Sequence, residues 1–522
     1  MDRDLAVFIG VSCDGFIKEV LVRRLFWALA LWAVCAQAQS NPAAQAARQW
    51  REQHERAIVD EFVGLLSIPN IAADKDNIQR NAQTIAQMMQ KRGVTSKLLT
   101  LPGVNPVVFG EIKTRGATRT VVLYAHYDGQ PLDPKEWRTP PFTPTLRDKR
   151  LEDDGQVIAL PVAGKAFNPE WRIYARGAAD DKAPIEAMMA ALDAIRAAGL
   201  KMKSNIKFVF EGEEEAGSPN FEKILEANKA TVMGDVWLSC DGPVHQTRQQ
   251  SLTFGARGIS VVEITLYGPR GELHSGHYGN WAPNPAMELA RLLASMKEAS
   301  GRVLVDHFYD GILSLSETER RAVAESPDVD ASLMRDFWLG STENAPKKLA
   351  ELITLPSLNI RGMASSRVGL QASNVIPATA TATIDMRLVP GMDPKVTADR
   401  LIEHIRKQGY FVVDMDPSAE VRQSHPKVAK VTQTQGEPPF RISMDLPIAQ
   451  EVIRTVESAR GPTVKIPNSG GTGPDAAGQV LHIPGIGVPI GNHDNNQHSF
   501  NENLRIQNLW DGIELMAALL TM

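Results

Sequence analysis

Acidic and imidazole side chains stand at the ends of several strand-like segments in this sequence. His126 and Asp128 close one such segment at positions i and i+2, so in an extended chain their side chains point to the same side. An imidazole nitrogen binds a divalent metal, and a carboxylate beside it fixes the ring tautomer by holding the other nitrogen. A His-x-Asp triplet alone is weak support for a metal site, because a strand that ends at the surface also produces one.

An acidic run over residues 213–215 directly follows an apolar segment at 206–210, and Asp241 follows the next apolar segment. Acidic runs at a surface are normally only solvated. This run instead ends a buried strand, and the carboxyl ends of strands are where open α/β sheets bind ligands. The sequence therefore predicts that these carboxylates meet His126 at one edge of a sheet.

Asp180 and Asp181 precede a helical segment that contains Pro184 in its first turn. Carboxylates stabilise the N-terminal end of a helix, so capping competes with metal binding as the role of Asp181. Close to the C-terminus, His498 lies in a loop before another helix, and His493 in the same loop is an alternative ligand.

Two histidines with three or four carboxylates form a ligand set for two zinc ions, in which a bridging carboxylate holds the metals about 3.5–4 Å apart. So many like charges at one sheet edge would repel one another without cations. We therefore expect a two-metal hydrolytic centre built from His126, Asp180, Glu214 or Glu215, Asp241 and His498.

The elements that position these groups follow from the apolar pattern. Continuous apolar runs at 119–125, 206–210 and 236–240 have the length of strands covered on both faces, and a helical pattern at 184–198 lies between the first two. Strands that alternate with helices predict an α/β fold with a doubly wound, mostly parallel sheet.

The pattern changes near residue 253. Residues 258–266 and 378–387 alternate apolar and polar side chains, as strands with one solvated face do, and two helical segments accompany them. We expect an inserted, smaller α+β domain at 253–430 between the two parts of a catalytic domain, 39–252 and 431–522.

The N-terminus has the pattern of a secretory signal peptide at about residues 22–38, where Arg23 and Arg24 precede an apolar stretch and a small-residue cleavage site. The apolar stretch is shorter than the ~20 residues that span a bilayer. We therefore expect a leader over 1–38, a periplasmic or secreted protein, and no membrane association once the leader is removed.

Composition narrows the function classes. Hydrophobic residues make up 43% of the chain and charged residues 22%, as in ordinary globular proteins. The net charge of -5 gives no indication of nucleic acid as a partner. A serine hydrolase is disfavoured because the sequence lacks a Gly-x-Ser-x-Gly elbow.

The ordered set of motifs resembles the zinc-dependent exopeptidase family of carnosinase, cytosolic non-specific dipeptidase, aminoacylase and glutamate carboxypeptidase, and is most similar to the dipeptidase and carnosinase branch. The resemblance runs from about residue 50 to the end, with five separate blocks in the family's order. It implies two Zn²⁺ ions per subunit, with Mn²⁺ or Co²⁺ also suited to such ligands. The implied ligands are His126, Asp180 and Asp241 for one ion and the bridging Asp180 with Glu215 and His498 for the other.

The same resemblance implies roles for residues around the metals. Asp128 orients His126, and Glu214 is the general base, although the neighbouring Glu213 leaves the register of the acidic run open. The inserted domain resembles a lid and dimerisation domain, which implies a homodimer. Three motifs of this domain match the family, at residues 273–276, 374–377 and 387–390, and a glycine-rich loop at 470–474 matches as well. They imply that His274 stabilises an oxyanion in the partner's site and that substrate contacts come from Arg387, Asn374 and Thr472.

The function expected from these features is hydrolysis of dipeptides or short peptides by a metal-activated water with a glutamate base. An N-acyl-amino-acid deacylase or desuccinylase with the same metal chemistry is the first alternative. A catalytically inactive binding protein on the same fold is the second.

Overall fold

The computed structural model describes residues 41–471 and 477–522. The predicted leader and signal peptide, and Thr472 of the glycine-rich loop, lie outside the described residues.

The strands are numbered β1 to β20 along the described chain. They are Thr95–Leu99, Val107–Ile112, Thr120–His126, Thr145–Arg147, Arg172–Tyr174, Asn205–Glu211, Val236–Ser239, Ser251–Thr253, Gly255–Ala256, Gly258–Tyr267, Leu273–His274, Ser357–Ala364, Val375–Ile376, Thr379–Leu388, Phe411–Val413, Val428–Glu437, Phe440–Arg441, Val464–Ile466, Gly485–Gly487 and Asn503–Arg505.

The α-helices are numbered α1 to α14 in the same way. They are Pro42–Leu66, Lys75–Lys91, Lys182–Ala197, Phe221–Ala227, Lys229–Val232, Ser275–Tyr278, Pro285–Ala294, Glu317–Glu325, Asp330–Asp336, Leu349–Leu352, Pro394–Lys407, Ala419–Ser424, Pro447–Arg460 and Ile506–Leu520.

The larger sheet has eight strands in the order β1-β2-β6-β3-β7-β19-β8-β18. Its centre is parallel, since β3 pairs in parallel with both β6 and β7, and β7 pairs in parallel with β19. Antiparallel pairs occur towards the edges, at β1–β2, β2–β6 and β8–β19. The predicted α/β fold is confirmed, and the apolar runs that predicted buried strands form the parallel centre.

Helices cover this sheet and build the main core. Helices α1, α3 and α14 pack against one another, and their buried faces join the inward side chains of β3 and β6 in one apolar cluster. Helix α1 begins at Pro42 because the side chain of Asn41 accepts hydrogen bonds from the backbone N–H groups of Ala43 and Ala44, at 2.9 and 3.2 Å.

The smaller sheet has five strands in the order β12-β14-β10-β16-β15. Helices α7 and α11 cover one face of it, where Val262, Ile264 and Leu266 of β10 are buried. The apolar-polar alternation that predicted this domain therefore corresponds to a sheet with one helix-covered face.

The chain enters the smaller sheet at Gly258, the first residue of β10, and leaves it after Glu437, the last residue of β16. The returning strand β17 pairs with β9, so the two crossings run side by side. Strand β16 belongs to the five-stranded sheet, and the expected domain boundary at residue 430 falls inside this strand. Among the described helices, none combines the length and the apolar character that a bilayer crossing requires.

Candidate active site

Three neighbouring parallel strands end at the same edge of the larger sheet. Strand β3 ends at His126, which pairs in register with Glu211 at the end of β6. Strand β7 lies on the other side of β3 and ends at Ser239, two residues before Asp241. The parallel register therefore brings the polar groups that follow each strand to one place.

A buried carboxylate, Glu502, shapes the loop that presents Asp180. Its two oxygens accept hydrogen bonds from the backbone N–H groups of Gly177, Ala179 and Asp180, at 2.9–3.0 Å. The guanidinium of Arg176 donates to the same carboxylate at 2.9 Å. Glu502 was not predicted from the sequence, although it is an acidic residue close to His498 in the chain.

The structure brings the five predicted metal ligands together in two groups that share Asp180. In each group the candidate ligand atoms lie within 4.8 Å of one another. The two carboxylate oxygens of Asp180 face the two imidazoles, with His126 Nε2 at 2.9 Å from one and His498 Nε2 at 3.1 Å from the other. The groups are His126, Asp180 and Asp241, and Asp180, Glu215 and His498.

The electrostatics of these groups favour a bound cation. Burial, and then the charge of Asp180, raise the pKa of Asp241 to about 7 and that of Glu215 to about 8. Burial opposes ionisation of Asp180 as well, but contacts with His126 and His498 lower the pKa of its carboxyl group. Crowded carboxylates that resist ionisation together with two imidazoles are a donor set that fits divalent metal ions.

Asp128 connects the histidine to the acidic run. One oxygen of its carboxylate lies 3.5 Å from His126 Nδ1, as expected for a group that orients the ring. The same carboxylate accepts hydrogen bonds from the backbone N–H groups of Glu214 and Glu215, at 3.1 and 3.0 Å. Asp128 therefore positions the turn that carries the two glutamates as well as the imidazole.

The three glutamates of the acidic run point to different surroundings. Glu214 Oε2 lies 3.9 Å from His126 Nε2, and Glu215 Oε2 lies 3.4 Å from His498 Nε2. Glu213 instead accepts hydrogen bonds from the backbone N–H of Asn105 and the side-chain amide of Asn220, at 3.0 and 2.9 Å. The geometry thus favours the register in which Glu214 and Glu215 face the histidines.

Two more side chains contact this centre. Gln130 was not singled out from the sequence, and its amide donates to Glu215 Oε2 at 2.6 Å. Asp181 lies at the N-terminus of α3, but its side chain makes no capping hydrogen bond there. It accepts instead from the backbone N–H of His126 at 3.2 Å. The alternative ligand His493 belongs to neither of the two groups of described residues.

A cavity of about 710 Å³ opens beside the two groups. Asp180, Glu214, Asp241 and His498 line this cavity. Apolar side chains of the inserted domain and of the returning chain also line it, among them Val323, Leu349, Ile353 and Phe440.

The predicted substrate residues of the inserted domain lie elsewhere. His274 is exposed and pairs with Val375 in a two-stranded ribbon, and the backbone carbonyl of Asn374 accepts from Ser275 N–H at 2.9 Å. Arg387 lies on β14, with its Nε 3.7 Å from Asp385. His274, Asn374 and Arg387 are not among the described residues that line the cavity of the same chain.

The sequence profile of Peptidase family M20/M25/M40 matches residues 122–522, which include every ligand candidate described above. The chain belongs to this peptidase family. It is therefore a hydrolase. M20 metallopeptidases use metal ions, and the two ligand groups that share Asp180 are the candidate sites for such ions in this chain.

Two relatives and one solved structure illustrate the similarity. The M20-family chain is 27% identical to human "Beta-Ala-His dipeptidase", over 86% of this chain and 83% of the relative. It is also 27% identical to "Cys-Gly metallodipeptidase dug1" of Schizosaccharomyces pombe, over 87% and 94%. The crystal structure of the M20-family metallo-carboxypeptidase Sso-CP2 from Sulfolobus solfataricus superposes with a TM-score of 0.69 at 27% identity, covering 89% of this chain and 98% of that one.

These comparisons correct the expected location. The yeast Cys-Gly metallodipeptidases among the relatives are cytosolic enzymes, so the prediction of a periplasmic or secreted protein is wrong. The pattern at residues 22–38 that suggested export lies outside the described residues.

Proposed function

We propose that this M20-family peptidase is a two-zinc exopeptidase that hydrolyses dipeptides or similarly short peptides. The observation that carries the proposal is the pair of ligand groups that share Asp180. Two relatives whose names denote dipeptidases, each aligned over more than four-fifths of this chain, support the substrate class.

In this proposal His126, Asp180 and Asp241 would hold one zinc ion, and Asp180, Glu215 and His498 would hold the other. Asp180 would serve both ions, since each of its oxygens faces a different histidine. When bound, the two ions supply a water of lowered pKa and polarise the scissile carbonyl group. Asp128, Gln130 and Glu502 hold the ligands in place through the hydrogen bonds described above.

Glu214 acts as the general base. It takes a proton from the attacking water and delivers it to the leaving amine. Burial raises the pKa of its carboxyl group, which moves this base towards the neutral range in which proton transfer in both directions is efficient. Its place beside His126 and on the wall of the cavity supports this role.

Arg387 binds the terminal carboxylate of the substrate, because a guanidinium offers paired donors that match a carboxylate. A requirement for that carboxylate makes the enzyme an exopeptidase. Asn374 and Thr472 supply further substrate contacts.

We also propose two functional domains, a catalytic domain of residues 39–254 and 440–522 and a lid and dimerisation domain between them.

The active assembly in this proposal is a homodimer in which the partner subunit's His274 stabilises the oxyanion of the reaction. The exposure of His274 and its separation from the cavity of its own chain support this arrangement. Large apolar side chains are exposed nearby in the inserted domain, including Trp281 next to α6 and Ile360 and Met363 on the edge strand β12. An edge strand with exposed apolar side chains is suited to pairing with a second copy.

The decisive experiment is a chelator and add-back assay on purified protein against dipeptides, N-blocked dipeptides and N-acyl amino acids. We expect chelation to abolish cleavage of dipeptides and zinc to restore it, with manganese and cobalt tested in parallel. Cleavage of acyl amino acids alone would establish the deacylase alternative. Metal binding without turnover of any substrate class would favour an inactive binding protein.

A further inference from the structure

Arg257 lies where the chain first crosses from the larger sheet to the smaller one, between β9 and β10. Its side-chain Nε donates to the carbonyl of Gly470 at 3.0 Å, and its backbone N–H donates to the carbonyl of Ser469 at 3.3 Å. Ser469 N–H in turn donates to the carbonyl of Gly255 at 2.8 Å. These bonds fasten the start of the glycine-rich loop to the crossing segment.

The side chain of Arg257 also has a cationic neighbour. Ile259 of β10 pairs directly with Arg387 of β14. Because Arg257 precedes Ile259 by two positions, an extended chain places its side chain on the same face of the sheet as Arg387. Burial, and then the positive charge of Arg387, lower the pKa of Arg257 to about 10.

The carboxylate of Asp385 offsets part of the charge of Arg387. Asp385 is two residues before Arg387 on β14, and its Oδ2 lies 3.7 Å from Arg387 Nε. Its other oxygen accepts a hydrogen bond from the side-chain amide of Asn359 at 2.8 Å. Two guanidinium groups in a partly buried place repel each other, and an additional anion between them removes this repulsion.

The guanidinium of Arg257 adjoins the wall of the cavity that contains the metal-ligand groups. Ala256, Gly470 and Ile353 line that cavity. A methyl group placed on Gly470 would lie 3.8 Å from Arg257 Nη2 and 3.6 Å from Ile353 Cδ1. An anionic end of a bound peptide at this wall is therefore close to Arg257.

We propose that Arg257 is a specificity-determining residue which, together with Arg387, binds the terminal carboxylate of the substrate at the crossing between the two domains. The inference rests on the proposed exopeptidase function and adds a second guanidinium to its carboxylate site. A carboxylate presents two oxygens, which allows one to be held by each guanidinium. The bond from Arg257 to Gly470 holds the guanidinium in position for this contact.

The test compares one dipeptide carrying a free terminal carboxylate with the same dipeptide as a terminal amide. For Arg257→Gln we expect the preference for the free acid, measured as the ratio of the two kcat/KM values, to fall about 10- to 100-fold, mainly through KM. Arg257→Lys keeps the charge without the paired donors, so we expect a smaller fall. This second variant also keeps the test informative if Arg257→Gln folds poorly.

Arg441 provides a matched control on the returning crossing. Its guanidinium lies 3.2 Å from Glu319 and donates to the carbonyls of Leu313 and Ser314. We expect Arg441→Gln to keep the wild-type preference for the free acid.

The outcomes separate the two proposals. Equal losses on the acid and the amide in both Arg257 variants would mean that Arg257 only holds the loop, which overturns the inference. An unchanged preference in the Arg257 variants beside a lost preference in Arg387→Gln would overturn it as well and leave the proposed function standing. If wild-type enzyme itself cleaved acid and amide equally, the exopeptidase proposal would fall together with the inference.

Discussion

At the scale of single residues, the acidic run shows how adjacent side chains of the same type acquire different surroundings. Asp128 accepts hydrogen bonds from the backbone N–H groups of both Glu214 and Glu215, which fixes the turn between them. Glu213 is turned towards Asn105. The run is therefore divided between one glutamate that holds a loop and two that face imidazoles.

This division gives a direct test of the proposed base. Glu214→Gln removes proton transfer but leaves the proposed metal ligands in place. We expect kcat to fall by about 10²–10⁴-fold, with metal content measured by plasma mass spectrometry unchanged. Glu213→Gln keeps an acceptor oxygen for Asn105 and serves as the control, with activity near that of wild type. A Glu214→Gln enzyme with wild-type turnover would remove Glu214 from the mechanism.

Gln130 tests how far positioning groups tune the metal site. Its amide donates to Glu215 Oε2 at 2.6 Å. We expect Gln130→Leu to weaken affinity for the second metal about 10- to 100-fold, the usual effect of losing a hydrogen bond to a ligand. Competition with a fluorescent chelator measures this affinity. The control is Gln156→Leu at an exposed glutamine that donates to the carbonyl of Asp154; equal affinities in the two variants would contradict the role of Gln130.

At the scale of elements, the buried strands were predictable because they appear in the sequence as continuous apolar runs. The strands β3, β6 and β7 are continuous apolar runs, and the residues after them were recognised as candidate ligands. Strand β16 was not predicted, because its residues from Thr432 onwards lack apolar side chains and show no apolar-polar alternation; they are exposed in the structure. Its position is set by pairing with β10, which a single sequence does not reveal.

The candidate active site was likewise predictable only in the part that does not depend on contacts between distant segments of the chain. The candidate ligands at strand ends were predicted together, because the carboxyl ends of parallel strands meet at one edge of an α/β sheet. Glu502 and Gln130 were missed, because their roles depend on hydrogen bonds to loops that lie far away in the sequence. Spacing along the chain carries no information on such contacts.

Between elements, an ion pair joins β5 to the loop before β20 and gives a prediction on pH. Arg172 Nη2 lies 2.7 Å from Asp494 Oδ2. Burial opposes ionisation of Asp494, but the hydrogen bond and charge of Arg172 lower its pKa well below the usual value. A carboxyl group with a lowered pKa in the folded state stabilises the fold above its unfolded pKa of ~4, and this contribution is lost as pH falls through the folded value.

We therefore expect Asp494→Asn to lower the free energy of unfolding at pH 7 by on the order of 2 kcal/mol. The difference from wild type should shrink as pH falls below ~4, because the carboxyl group then binds a proton in the unfolded chain while it stays ionised in the folded one, and the difference is lost once pH falls through the folded pKa. Urea denaturation of metal-free protein at several pH values measures the difference. A gap that stays constant down to the lowest pH at which both proteins fold would contradict the ion-pair explanation.

At the scale of the whole molecule, the metal ligands and the residues proposed to contact substrate lie in different parts of the chain. The proposed ligands lie at the end of β3 and on loops of the catalytic part of the chain, whereas His274, Asn374 and Arg387 belong to the inserted domain. Two adjacent crossings, paired through β9 and β17, connect these parts. Movements that open and close the cavity are expected to concentrate at such a connection, since few residues there need to change conformation.

The proposed dimer predicts that two inactive variants complement each other. Glu214→Gln lacks the base of its own site, and His274→Ala lacks the group that it supplies to its partner. In a mixed dimer, the subunit that carries His274→Ala keeps an intact Glu214 and receives the partner subunit's His274, so one of the two sites is complete. Random exchange makes half of the dimers mixed, which predicts recovery of about a quarter of wild-type activity.

The measurement is activity after the two variants are unfolded and refolded together, with each refolded alone as the control. If the mixture stayed as inactive as its components while wild type recovered fully, His274 would not act across a subunit interface, and the dimer would not be required for a complete site.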